Sequence, residues 1–94
     1  MEWLEIIELR AIEKDRVLIE PLLEALSEEM AVEDHIQNVK MYLRMEPYID
    51  FSIHLFHESE AVEYTGSQVG LRLASILKTY GIVRQSIWTG LQEH

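Results

Sequence analysis

Hydrophobic and polar positions alternate along two neighbouring stretches, and the remaining elements are arranged around them. In Val39–Met45 the apolar Val39, Met41, Leu43 and Met45 interleave with Lys40, Tyr42 and Arg44; in Phe51–His57 the apolar Phe51, Ile53 and Leu55 interleave with Ser52, His54 and Phe56. A period of two marks half-buried strands. Glu46-Pro47-Tyr48-Ile49-Asp50 lies between them, and Pro47 suits the first central position of a type I turn, so the pair predicts a β-hairpin. Upstream, Glu2–Ile12 has large apolar residues on both alternating sides, Trp3, Ile7 and Leu9 on one and Leu4 and Ile6 on the other. A strand that is apolar on both sides is expected at the centre of a sheet, covered on both faces.

Helical spacing appears twice. From Arg16 to about Val32 the residues Ile19, Leu22, Leu23, Leu26 and Met30 form one apolar stripe, with Asp15 as the expected N-cap. Pro21 has no amide hydrogen, so this helix is expected either to begin there or to bend there. Glu20, Glu24 and Glu28 repeat every four residues on the opposite side, a solvent face or else a surface for a basic partner or a divalent cation. The second helix starts at the cap Ser67, carries Val69, Leu73, Ile76, Leu77 and Tyr80 inward, and is expected to end at Gly81 in a left-handed C-terminal position. Ile82–Leu91 closes the chain as a last strand, Val83 and Ile87 on one side and Arg84, Ser86 and Trp88 on the other.

The order strand, helix, strand, strand, helix, strand within 94 residues predicts one α+β domain, residues 1–94, of the ferredoxin-like β-α-β-β-α-β type. Two helices then cover one face of a four-stranded antiparallel sheet whose first and third strands are central. The other face is left displaying Tyr42, Arg44, Ser52, His54, Phe56, Arg84, Ser86 and Trp88. Apolar surface of that kind seldom stays bare, and a second copy of the chain is the simplest cover, so a homodimer through the helix-free face is expected.

Composition narrows the chemistry. With no cysteine, thiolate metal sites, iron–sulfur clusters and a cysteine nucleophile are excluded. Seventeen acidic against eight basic residues give a net charge of −9, which repels a phosphate backbone and an anionic membrane surface. RNA readers of this topology stack bases on central-strand aromatics, a part Phe56 could imitate, but the glycine–aromatic motif is missing and the charge has the wrong sign. No apolar run is long enough to span a bilayer, and Met1-Glu-Trp-Leu-Glu5 lacks a signal-peptide pattern, so a cytoplasmic location is expected.

The small acidic chain, the helix Ser67–Tyr80 closed by Gly81 and the following strand with Trp88 resemble the dimeric α+β-barrel group of ferredoxin-like proteins, which includes the antibiotic-biosynthesis-monooxygenase-like domains. The resemblance rests on element order over nearly the whole chain, and no catalytic residue of that group maps onto a position here. It implies two sheets closing into a barrel and a small-molecule pocket in each subunit; some members are cofactor-independent oxygenases. The expected role is therefore small-molecule binding or a structural, interaction role without a cofactor. The alternative is a cofactor-independent monooxygenase-like enzyme acting on an aromatic or quinone-like molecule.

Candidate ligand-binding residues are Tyr42, Arg44, His54 and Trp88, with His54 the one catalytic candidate as a general base. Arg44 and Arg84 could hold a carboxylate bidentately. His54 and His57 are three apart on a strand and point to opposite faces, so no shared metal site is expected. Gly66-Ser67, at a helix start, could receive an anion on free backbone donors.

Overall fold

The computed structural model describes residues 1–45 and 50–91. Strand β1 (Glu2–Ala11) leads through a short 3-10 turn (Glu13–Asp15) into helix α1 (Arg16–Met30); β2 (Ile36–Leu43), β3 (Asp50–Glu58), helix α2 (Gln68–Leu77) and β4 (Gly81–Thr89) follow. The strands lie in the order β2-β3-β1-β4, every pairing antiparallel. This is the ferredoxin-like arrangement, with β1 and β3 central as the doubly apolar β1 implied. The turn residues around Pro47 lie outside the described residues.

The core forms where the two helices lie on one face of the sheet. Ile7 and Leu9 of β1, Ile53 and Leu55 of β3, Ile19 of α1 and Leu77 of α2 are each at most 1% exposed. The α1 stripe delivers Ile19, Leu23, Leu26 and Met30 to it, and Glu20, Glu24 and Glu28 face solvent. α1 does not begin at Pro21 but runs through it, leaving the Val17 carbonyl without its helical donor on the exposed side. Asp15 holds the N-cap position, yet its side chain makes no cap hydrogen bond.

Several boundaries differ from the sequence pattern. β2 begins three residues earlier than Val39, at Ile36, because a bulge between Ile36 and Asn38 shifts the parity and lets buried Ile36 and the partly buried Val39 share the helix side. Met45, expected in that strand, lies past its end and is 74% exposed. Gly81 is not a left-handed helix cap: α2 ends at Leu77, Gly81 opens β4, and among the described residues only Gly66 has a positive φ, at 103°. Gly81 is needed for a different reason. It lies opposite Ala11, and a Cβ there would overlap the Arg10 backbone carbonyl.

Gly81→Ala therefore forces β1 and β4 apart. Denaturant unfolding is expected to show a loss of about 2 kcal/mol; an unchanged midpoint would mean that the strands can separate without cost.

Candidate functional site

The two faces of the sheet carry different chemistry. On the helix side, Glu5 shares the parity of Trp3, Ile7 and Leu9 and is fully buried. A buried carboxylate is costly unless every acceptor site is used. Here all are. Oε1 accepts from the His57 ring Nε2 at 2.9 Å and the Ser67 hydroxyl at 2.6 Å; Oε2 accepts from the Ser67 amide at 3.1 Å and from the Gln85 side-chain amide. Ser67 is the N-cap of α2, its hydroxyl also accepting from the Gly70 amide at 2.9 Å, so the carboxylate rests on the positive end of that helix. Gly66 and Gly70 make the room: a Cβ at Gly70 would overlap the carboxylate, and one at Gly66 the Gln85 amide. The anion anticipated at Gly66-Ser67 is thus internal. It belongs to the protein itself.

Burial pushes the Glu5 carboxyl upward, but the bonds from His57, Ser67 and Gln85, together with the charge interaction with His57, outweigh burial and hold it below the ordinary glutamate range. An ionised Glu5 only accepts, which assigns the histidine beside it. His57 therefore donates from Nε2, and its Nδ1 shares a hydrogen bond with Nδ1 of His35 at 3.0 Å. Trp3 stacks on His57 at 4.0 Å and donates its indole hydrogen to Ser59 Oγ at 2.9 Å. With four internal donors on two oxygens, Glu5 keeps no lone pair for a substrate. The cluster ties β1, β3, β4 and α2 together, a structural part.

The helix-free face carries the exposed chemistry, and strand register sets it out in rows. Across β2, β3, β1 and β4 one row reads Asn38, Phe56, Leu4 and Trp88; the next, Lys40, His54, Ile6 and Ser86; the next, Tyr42, Ser52, Glu8 and Arg84. Beyond these, Asp50 pairs with Arg10 and Arg10 with Ile82, and Arg44 reaches the same Asp50. One end is apolar and the other ionic. At the ionic end a cleft of about 370 Å³ is bordered by Tyr42, Arg44, Asp50, Arg10, Glu8 and Arg84. Asp50 accepts from Arg10 Nε at 3.2 Å and from Arg44 Nη1 at 3.1 Å. Burial would raise its carboxyl, and the two guanidinium groups lower it by more, so it stays ionised.

The expected site residues are distributed between the two ends. Tyr42 and Arg44 border the ionic cleft. His54 sits between the ends, 4.9 Å edge-on from the Tyr42 ring, with Nε2 2.7 Å from Ser52 Oγ. Burial, foremost, lowers its pKa; Glu8 raises it and Lys40 lowers it again, leaving a neutral imidazole. Trp88 is not beside Tyr42: it is 55% exposed in a separate depression of about 360 Å³ with Leu4 and Phe56, its indole hydrogen donated to Ser86 Oγ at 2.8 Å. His54 and His57 do face opposite sides. Among the described residues no group of three metal-binding side chains converges. Sequence reasoning missed Glu5, His57 and Gln85, although Glu5 and His57 both carry the core parity of their strands.

No protein-family model matches the sequence. No curated protein matches it either. Solved structures do. A Mycobacterium tuberculosis protein superposes with a TM-score of 0.77 at 16% identity, covering 99% of this chain and 98% of that one. A variant of SnoaB, a cofactor-independent oxygenase from Streptomyces nogalater, gives 0.76 at 8% identity, covering 98% and 95%. An antibiotic biosynthesis monooxygenase gives 0.72 at 10%, covering 96% and 99%. The chain therefore has the ferredoxin-like fold of the antibiotic-biosynthesis-monooxygenase-like proteins over its whole described length. Identities this low speak to the fold alone. No helix among the described residues is long and apolar enough to cross a membrane.

The depressed Glu5 pKa has a defined consequence for stability. The carboxylate's contribution is complete above the pKa of the unfolded chain and is lost as pH falls through the lower folded value. Glu5→Gln, which turns an amide NH2 towards two of the four donors, is expected to cost about 3 kcal/mol at pH 7. Measured by urea unfolding, that gap should narrow as the pH falls below the ordinary glutamate range; a gap that widens in acid would contradict the assignment.

Proposed function

We propose that the chain works as a homodimer in which two helix-free sheet faces close into an α+β barrel around a small-molecule site. The observation that carries this reading is the row Phe56, Leu4, Trp88. Leu4 stands directly opposite both aromatic residues, so three apolar side chains lie side by side across three strands with no helix over them. Four strands of eight to ten residues offer roughly 19 by 30 Å of flat sheet, to which side-chain relief adds, against the about 800 Å² per partner that stable dimers bury. Tyr42 at 51%, Ile82 at 69% and Trp88 at 55% exposure are large side chains that an interface would shelter. The likeness to antibiotic biosynthesis monooxygenase structures supports a small-molecule role for such a fold.

A second reading, a cofactor-independent monooxygenase-like enzyme acting on an aromatic or quinone-like molecule, is favoured by His54. Its neutral imidazole, between Tyr42 and Phe56 on the uncovered face, can take a proton from a phenolic hydroxyl. SnoaB, with this fold, is a cofactor-independent oxygenase. The readings separate on His54→Ala: the binding reading expects retained ligand uptake, the enzymatic one a loss of oxygen consumption of at least a hundredfold with a hydroquinone probe.

Sedimentation at micromolar concentration is expected to give twice the 11.0 kDa chain mass. Leu4→Asp and Trp88→Ala are each expected to weaken the dimer at least tenfold. A monomer in the unaltered protein would overturn the barrel.

A further inference from the structure

The protein carries a net charge of −9, yet four of its eight Lys and Arg residues, Arg10, Lys40, Arg44 and Arg84, stand on the helix-free face. Three of them border the ionic cleft, against only Glu8 and Asp50, so this one recess is positive in a negative molecule. The cationic groups are also underused. Arg10 and Arg44 each give a single bond to the shared Asp50, and a guanidinium has five N–H donors. Arg84 lies opposite Glu8 in register but forms no ion pair among the described residues. Arg10 and Arg84 are diagonal neighbours on adjacent strands, about 7–8 Å apart, close enough for both forks to reach one anion.

The recess has an apolar side as well. Ser52, the smallest side chain of its row, separates Tyr42 from Glu8, and Tyr42, whose ring meets His54 edge-on, borders the cleft. The cleft, at about 370 Å³, lies within the range of pockets for small organic ligands. An inorganic anion would leave the Tyr42 wall unused. A neutral aromatic would leave two guanidinium groups uncompensated.

We propose that this cleft binds a small aromatic carboxylate, its carboxylate held by Arg10 and Arg84 and its ring lying over Ser52 against Tyr42. The site deepens the small-molecule reading above by naming the ligand class, and it rests on that reading. Glu8, beside Arg84, weakens the attraction and tunes it.

The test uses 2-naphthoate, 2-naphthamide and inorganic phosphate with the full chain, followed by amide chemical-shift mapping. Naphthoate is expected to shift Tyr42, Ser52 and Arg84, with naphthamide and phosphate each at least tenfold weaker. Arg84→Gln and Arg10→Gln are each expected to lower naphthoate affinity about tenfold; Arg84→Lys, which keeps the charge and loses the fork, falls between. Glu8→Gln is expected to raise affinity a few-fold, and Lys78→Gln, beyond α2 and away from the cleft, to leave it unchanged. Equal binding of naphthoate and naphthamide, phosphate binding as tight as naphthoate, shifts confined to the Trp88 depression, or an Arg84→Gln variant with full affinity would each overturn the proposal. All these variants change exposed side chains, and unchanged circular dichroism confirms their fold. Sedimentation distinguishes the two levels: a dimer that binds no naphthoate removes this site alone, whereas a monomer that binds it removes the barrel and leaves the site.

Discussion

The carboxylate of Glu5 is the constraint around which the domain is assembled. A charged group with no solvent exposure is tolerated only when its desolvation is offset bond by bond, and the four donors that do so come from β3, the start of α2 and β4. Satisfying one side chain of β1 thus fixes where α2 begins, how β4 lies against β1, and that Nε2 of His57 donates. Apolar packing alone does not specify such positions so narrowly, because hydrophobic contacts are non-directional. Gly66 and Gly70 belong to the same constraint, since side chains there would occupy the space of the carboxylate and its amide partner.

This arrangement divides the molecule chemically. The helix-covered face is closed, filled by apolar residues and one saturated polar cluster. The helix-free face is open and graded, from Phe56, Leu4 and Trp88 at one end, through His54, to Arg10, Asp50, Arg44 and Arg84 at the other. Assembly is favoured at the apolar end and ligand recognition at the ionic end. An overall acidic molecule with a locally basic recess also selects for ligands able to engage several donors at once, since long-range attraction for anions is absent.

Much of the fold was legible because periodicity reports burial directly. The two-sided β1, the alternating β3 and the two helical stripes each placed an element correctly, and their order sufficed for the topology. Arg44, His54, Tyr42 and Arg84 were assigned to the open face by parity alone, and the structure puts them there. What parity could not give was which rows they occupy. Tyr42 and Trp88 share a face but lie two rows apart, a matter of register that the bulge in β2 helps to set. Glu5 escaped notice because it lies in a strand with charges at positions 2, 8 and 10, and its partners are 52, 62 and 80 residues away. Its signal was present in three parts: a Glu on the core parity of a central strand, a His on the core parity of the next, and a Gly-Ser helix start suited to an anion.

Carbon-13 detection of the Glu5 side-chain carboxyl during an acid titration tests the account most directly, because it reads the buried group itself. A single transition below the ordinary glutamate range is expected. A Glu5 carboxyl that titrates above that range would mean an unpaired, protonated acid in the core, and the division into a closed face and a working face would fail with it.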